Sequence, residues 1–127
     1  MPLVRIELRR GKPAEYRRTL AEQVYEAMRD AIKIPENDKF VVVSEHDPDN
    51  LVYDRSYLGI QRSDDFVLIH IALRKGRAVE AKQELYKRIT ERLHESLGVR
   101  PSDVLVTLVE NDAADWSFGD GVAQYVK

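Results

Sequence analysis

The amino-acid sequence predicts an α+β fold: a duplicated β-α-β unit that forms a four-stranded mixed sheet with two helices on one face, plus a short C-terminal hairpin. Three observations support this prediction. The 127-residue chain matches itself without a gap at an offset of 65 residues. Each half contains segments with apolar residues at every second position, which is typical of strands. Each half also contains one long segment of helical periodicity.

The 65-residue repeat relates residues of several chemical types. Apolar matches alone could arise by chance, because any two amphipathic helices agree to that extent. Matches of Arg, Gly and Asp between the elements are harder to explain in this way, and they indicate an internal duplication. We therefore predict a single domain, residues 1–127, with repeat halves at about 2–46 and 66–111. The coinciding pairs are Arg9 with Arg74, Gly11 with Gly76, Lys12 with Arg77, and Asp38 with Asp103.

The first half predicts a strand, a helix and a second strand. Leu3–Leu8 alternates apolar and charged residues, which favours a strand. Apolar residues then recur at helical spacing from about Pro13 to Lys33, and proline is well suited to a first turn. Pro35 disfavours continuation of the helix, and a strand follows over residues 40–44.

The second half repeats this scheme. It predicts a strand at about Phe66–Leu73, a helix at about Ala78–Leu97 that ends at Gly98, and a strand at Val104–Val109. Crossover connections between parallel strands are almost always right-handed, so both helices should cover the same face of the sheet.

The face without helices indicates self-association. Residues 40–43 and 66–69 are apolar at consecutive positions, which is typical of strands that are buried on both faces. Monomeric proteins rarely expose an apolar patch as large as a sheet face. We therefore expect a homo-oligomer.

Composition excludes several classes of function. Lys and Arg number 20 against 22 Asp and Glu, and there is no cysteine. This balance disfavours a nucleic-acid partner, which requires a clustered basic face, and excludes thiol catalysis and cysteine-ligated metals. No apolar run approaches the length of a membrane span, and the first residues lack a signal-peptide pattern. We expect a cytoplasmic protein with no membrane partner, and we find no metal-ligand spacing.

Two segments lie outside the repeat. The connection from His46 to Asp65 is long but contains apolar residues, which indicates that it packs on the domain. The tail contains Trp116 and Phe118, followed by a Gly-Asp-Gly turn that predicts the hairpin. These two aromatic side chains are either core residues or the wall of an apolar pocket.

Four residues could carry chemistry. Pro2 would become an N-terminal secondary amine if Met1 were removed, and a buried amine of this kind can act as base, acid or nucleophile. Arg74 and Arg77 follow the third strand, where guanidinium groups and a helix N-terminus favour a carboxylate. Asp38 precedes the second strand. Solvated arginines and an ordinary turn aspartate are the alternative interpretations.

Several motifs together resemble the tautomerase superfamily. These are Pro2, Arg74, Arg77, Pro35-x-Asn37-Asp38, and the segment Leu108-Val-Glu-Asn-x-x-Ala-Asp-Trp-Ser-Phe-Gly119. Within the superfamily the sequence is most similar to malonate semialdehyde decarboxylase and its relatives, and the likeness extends nearly end to end.

The resemblance implies specific roles. Pro2 would be the catalytic amine, and Asp38 would orient or activate a water or the amine. Arg74 and Arg77 would bind the carboxylate and carbonyl of the substrate. Lys75 and Gly76 both separate these arginines, whereas the decarboxylase has one residue there, so Lys75 is a further candidate for substrate binding. Trp116 and Phe118 would form an apolar wall, and the family implies a homotrimer.

The leading hypothesis is a cofactor-free enzyme that decarboxylates or tautomerises small oxo acids. A cationic Pro2 would favour decarboxylation of a 3-oxo acid, and a neutral one would favour keto-enol tautomerisation of phenylpyruvate-like substrates. The alternative from another class is a non-catalytic module that binds a small anion or mediates assembly, because one fold can host many functions.

Overall fold

The computed structural model describes residues 2–127 and confirms the predicted duplicated α+β architecture. Each half contributes a strand, a long helix and a second strand, with 3-10 turns in the connections and the tail. The elements are β1 (Leu3–Arg9), α1 (Ala14–Ile32), β2 (Val41–His46), β3 (Val67–Arg74), α2 (Val79–Leu97) and β4 (Val104–Asn111).

The four strands form one mixed sheet in the order β2-β1-β3-β4. β1 is parallel to β2 and antiparallel to β3, and β3 is parallel to β4. The register places Leu3 opposite Ala72, and Arg74 opposite Asn111. The beginnings of β1 and β2 therefore meet the ends of β3 and β4 at one end of the sheet, which we call the Pro2 end. The opposite end, where β1 finishes, is the Arg9 end.

The core lies between one face of the sheet and the two helices. The apolar positions predicted by the repeat are buried in pairs: Leu20 and Leu85 are both fully buried, as are Val24 and Ile89. Burial of such side chains contributes roughly 1.5–3 kcal/mol each. The strand residues of the core are Val4, Ile6, Leu8, Val67, Ile69, Ile71 and Leu73.

The repeat extends to backbone turns and ion pairs. Gly98 ends α2 with φ 70°, and Lys33, 65 positions earlier, ends α1 in the same left-handed conformation. Arg17 contacts Glu45 at 3.3 Å, and the equivalent Lys82 contacts Glu110 at 3.1 Å. The two halves thus share local geometry in addition to apolar periodicity.

The helix-free face carries exposed apolar side chains among polar ones. Val42, Leu105 and Val109 are 41%, 37% and 48% exposed within a single chain, beside Arg5 and Thr107. Self-association through this face stays a prediction. Among residues 2–127, neither helix is both long and apolar enough to cross a bilayer.

The prediction of a C-terminal hairpin is wrong. β4 is followed by a 3-10 turn at Ala113–Asp115, and residues 116–127 contain no strand. Gly119, Asp120 and Gly121 all have positive φ, which curls the chain instead of reversing it between two paired strands. The Gln124 side chain accepts a hydrogen bond from the Phe118 N–H and donates one to the Gly119 carbonyl, both at 2.9 Å. Hydrogen bonds of the Gln124 side chain thus hold this segment in place of the backbone pairing expected for a hairpin.

We expect Ile89→Ala to lower the free energy of unfolding by about 2–5 kcal/mol, because it leaves a cavity between α2 and the sheet. Lys87→Ala, on the exposed side of the same helix, is the matched control and should change it by less than about 0.5 kcal/mol. Urea unfolding at one fixed protein concentration measures both values. Equal effects of the two substitutions would contradict this description of the core.

Candidate active site

Three of the residues singled out from the sequence lie at the Pro2 end of the sheet. Pro2 is buried immediately before β1, Asp38 is 8% exposed just before β2, and Arg74 is the last residue of β3. The Asp38 N–H donates to the Pro35 carbonyl at 3.2 Å, which closes the turn that brings its side chain to this end. Met1, whose removal the sequence hypothesis requires, lies outside the described residues.

The loop after β3 concentrates positive charge. Gly76 has φ 121°, a conformation that residues with a Cβ rarely adopt, so the turn requires glycine. Arg77 donates from Nη1 to the Arg74 carbonyl at 2.9 Å. Burial and then the charge of Arg74 lower the pKa of Arg77, although a guanidinium remains protonated. Within residues 2–127 no carboxylate lies at salt-bridge distance from Arg74 or Arg77, and their cleft is about 400 Å³.

Lys75 points its charge toward the segment after β4. Its Nζ lies 2.8 Å from Asp112 Oδ1, and this hydrogen bond raises the pKa of Lys75. The Lys75 N–H also donates to the Asn111 carbonyl at 2.8 Å. Of the three cationic residues in the loop, Lys75 is the one that has a carboxylate of residues 2–127 within salt-bridge distance.

Trp116 and Phe118 form part of an aromatic cluster next to the cationic loop. Their rings stack with centroids 5.3 Å apart, and Phe40 lies 5.9 Å from Phe118. The Trp116 indole N–H donates to Asn111 Oδ1 at 2.6 Å, which orients the ring against the end of β4. These rings line a cleft of about 460 Å³, as the pocket interpretation of the sequence predicts.

Tyr125 connects the aromatic cleft to the cationic one, and sequence reasoning missed it. The Arg74 guanidinium lies 4.7 Å from the centroid of its ring, and the edge of the ring packs on Phe118 at 5.1 Å. Burial and the nearby Asp38 carboxylate raise the pKa of Tyr125, whereas Arg74 opposes this shift. The one sequence signal that could have pointed to Tyr125 is that it is an aromatic residue in the tail, because no sequence motif relates its position to that of Arg74.

This arrangement suits a small carboxylate with an apolar remainder. Guanidinium groups bind carboxylates in bidentate fashion, and neither arginine has a carboxylate of residues 2–127 at salt-bridge distance, although Glu110 and Asp38 act on Arg77 from farther away. The adjacent rings of Trp116 and Phe118 offer an apolar surface. In a single chain these are two separate clefts, and Tyr125 contacts one lining residue of each, Phe118 and Arg74.

Comparison with known proteins assigns the family. Two family models, each described as "Tautomerase enzyme", match residues 38–119 and 2–61. The first of these alone covers more than half of the chain. The chain belongs to the tautomerase superfamily. The resemblance noted in the sequence is thereby confirmed.

Individual relatives place this tautomerase more narrowly. "Probable tautomerase YusQ" of Bacillus subtilis (strain 168) is 38% identical over 127 residues and the full length of both chains. The crystal structure of FG41 malonate semialdehyde decarboxylase inhibited by 3-bromopropiolate is 41% identical, with a TM-score of 0.91 and coverage of 97% and 93%. These relatives identify an isomerase- or lyase-type enzyme and remove the support for a non-catalytic module.

A more distant structure shares only the fold. A fused 4-OT, solved as a symmetric trimer, is 20% identical, with a TM-score of 0.78 and 94% coverage of each chain. The duplicated β-α-β architecture of the tautomerase is therefore common to chains of low sequence identity.

We expect Tyr125→Leu to weaken binding of propionate about two- to five-fold, because a cation–π contact with Arg74 contributes about 0.5–1 kcal/mol at a partly exposed site. Tyr125→Phe keeps the ring face and is the matched control, with an affinity close to that of the parent. Amide NMR shifts of residues 74–77 during a propionate titration measure the dissociation constants. Equal losses in both variants would show that the hydroxyl, and not the ring, matters.

Proposed function

We propose that this enzyme uses the amine of Pro2, made available by removal of Met1, to act on small oxo acids, with decarboxylation of a malonate semialdehyde-like 3-oxo acid as the leading reaction. The proposal is carried by one observation: Pro2, Asp38 and Arg74 meet at the same end of the sheet. The 41% identity with a malonate semialdehyde decarboxylase supports this choice of substrate class.

The geometry favours a division of roles among the charged residues. Arg74 and Arg77 bind the substrate carboxylate and carbonyl, because within residues 2–127 no carboxylate lies at salt-bridge distance from either guanidinium, and both line one cleft. Lys75 is engaged by Asp112 and contributes a more distant positive charge, so it binds substrate less directly than Arg77. Trp116 and Phe118 exclude water from the apolar part of the substrate.

In the leading reaction Pro2 acts as a cationic amine. Its N–H group polarises the 3-carbonyl oxygen while the arginines hold the carboxylate. The bond between C2 and the carboxyl carbon breaks and carbon dioxide leaves. The electrons of that bond form a double bond between C2 and C3, and the carbonyl oxygen takes the proton of the Pro2 N–H, which gives an enol. A water oriented by Asp38 then protonates C2, the enol O–H returns its proton to the Pro2 nitrogen, and the remaining hydroxide combines with carbon dioxide to give hydrogencarbonate. Preorganised charges of this kind contribute several kcal/mol to lowering a barrier.

The second candidate is keto-enol tautomerisation of a phenylpyruvate-like acid. It requires a neutral Pro2 that moves a proton between carbon and oxygen. The stacked rings of Trp116 and Phe118 would suit a phenyl substituent, and the relative YusQ bears the name of a probable tautomerase. Burial and nearby cations lower the pKa of an amine, whereas a carboxylate such as Asp38 raises it, so this balance decides between the two reactions.

A homotrimer is part of the proposal. The helix-free sheet face exposes Val42, Leu105 and Val109, and covering it with further copies would remove this apolar surface from water. The fused 4-OT with this fold is a symmetric trimer. Sedimentation equilibrium tests the trimer, and a monomer at micromolar concentration would contradict it.

We expect Pro2→Ala to reduce kcat/KM for malonate semialdehyde about 10-fold or more, because the positioned secondary amine is lost. Pro13→Ala, at the exposed start of α1, is the matched control and should retain parental turnover. Intact mass should show that Met1 is absent, and 3-bromopropiolate should add covalently to the peptide that begins with Pro2. Full activity in Pro2→Ala would defeat the role of Pro2.

The pH dependence of inactivation by 3-bromopropiolate separates the two reactions. For the decarboxylase we expect a group titrating above about 9, since a cationic amine must persist at neutral pH against a usual α-amino pKa of about 8. Release of carbon dioxide from malonate semialdehyde should then exceed ketonisation of phenylpyruvate enol. A group titrating near about 7, together with the reverse substrate preference, would establish the tautomerase instead.

A further inference from the structure

The repeat places a second set of the same residue types at the Arg9 end of the sheet. Arg9 ends β1 and Lys12 follows it, as Arg74 ends β3 and Arg77 follows it. Asp103 precedes β4 as Asp38 precedes β2. Because β1 and β3 are antiparallel, this second set lies at the end of the sheet remote from Pro2. The proposed function uses none of these three residues.

The aromatic position is duplicated as well. Tyr53 stands 65 residues before Phe118, and its ring stacks on Phe66 with centroids 4.1 Å apart. Val67 occupies the position equivalent to Pro2, but its nitrogen belongs to an internal peptide of β3. The second set therefore has the charges and the ring of the first but no amine.

The second set is occupied by the chain itself. Arg9 Nη1 lies 2.6 Å from Asp64, and Lys12 Nζ lies 2.8 Å from Asp65. The fully buried Asp103 accepts hydrogen bonds from the N–H and the hydroxyl of Ser63, at 2.6 and 2.7 Å. The three consecutive residues that precede Phe66 thus satisfy all three groups.

The two loops consequently differ in their ion pairs. In the first, Arg9, Arg10 and Lys12 each have a carboxylate within salt-bridge distance, from Asp64, Asp47 and Asp65 respectively. In the second, Lys75 pairs with Asp112, whereas Arg74 and Arg77 have no carboxylate at that distance within residues 2–127. A free carboxylate therefore meets unpaired guanidinium groups at the second loop and already paired cations at the first.

We propose that Arg9 and Lys12 form a second binding site for a small monocarboxylate, and that the carboxylates of Asp64 and Asp65 occupy this site from within the same chain. The enzyme therefore binds one substrate carboxylate per chain. A tethered group acts at an effective concentration of millimolar or more, so a free carboxylate does not displace it at lower concentrations. This inference rests on the proposed role of Arg74 and Arg77 as the matching open site.

The pairs can be removed without unfolding the domain. Asp64 and Asp65 are largely exposed, and exposed ion pairs contribute little to stability. Asp64 also contacts Arg55 at 2.8 Å, so its loss frees that residue as well. Asparagine has nearly the same shape as aspartate; it removes the negative charge and replaces one acceptor oxygen by an NH2 donor.

The test uses the doubly substituted chain Asp64→Asn/Asp65→Asn, with propionate as the probe and amide NMR shifts as the readout. In the parent we expect saturable shifts at residues 74–77 only. In the double variant we expect a second saturable response at residues 10–12, with a dissociation constant at least about 10-fold below the highest propionate concentration that leaves these residues of the parent unshifted. Addition of Arg9→Ala should abolish this second response. Asp49→Asn, an exposed change on the same connection, is the control and should behave as the parent.

The outcomes distinguish this inference from the proposed function. A double variant that responds only at residues 74–77, or a parent that responds at both loops, would overturn the internally filled site. A parent that does not respond at residues 74–77 would overturn the role of Arg74 and Arg77 instead. If the double variant unfolds, the single variant Asp65→Asn, which frees Lys12, replaces it. The same propionate response at residues 10–12 then supports or overturns the internally filled site.

Discussion

The antiparallel pairing of β1 with β3 determines where the proposed functional residues of this enzyme can lie. With Leu3 opposite Ala72, the start of β1 meets the end of β3, and the parallel outer strands bring the start of β2 and the end of β4 to the same place. Residues that are remote in the chain, such as Pro2, Asp38 and Arg74, become neighbours through backbone pairing alone. A register shift of one residue would turn the core side chains of a strand to the helix-free face and misplace these groups together.

The same pairing creates two equivalent sheet ends, and local chemistry distinguishes them. At the Arg9 end the connection between the halves supplies a serine and two aspartates that satisfy the duplicated polar groups. At the Pro2 end two guanidinium groups remain without a carboxylate at salt-bridge distance in the described chain, and one of them is partly buried. Unsatisfied charge of this kind is unfavourable for folding, and such departures are expected where a protein binds a ligand.

The tail after β4 shows how an irregular segment can complete a site. It contains no strand, yet the Trp116 indole is held by Asn111 and the chain reversal is held by the Gln124 side chain. These contacts bring Tyr125 against both Phe118 and Arg74. The orientation of one arginine of the cationic loop therefore depends on residues that follow it by about fifty positions.

The duplicated β-α-β architecture, the positions of its six main elements and the family could all be predicted from the sequence. This was possible because periodicity is a local property, and because Pro35, Gly98 and the Asp-Trp-Ser-Phe motif mark boundaries and the family directly. Four features became visible only in the folded chain: the course of the tail, the ion pair of Lys75 with Asp112, the contact of Tyr125 with Arg74, and the pairing of Arg9 and Lys12 with Asp64 and Asp65. Each of these features depends on which side chains from separate segments come within a few ångströms of each other. Packing and the positive φ angles of the tail set these distances, and neither leaves a periodic pattern in the sequence.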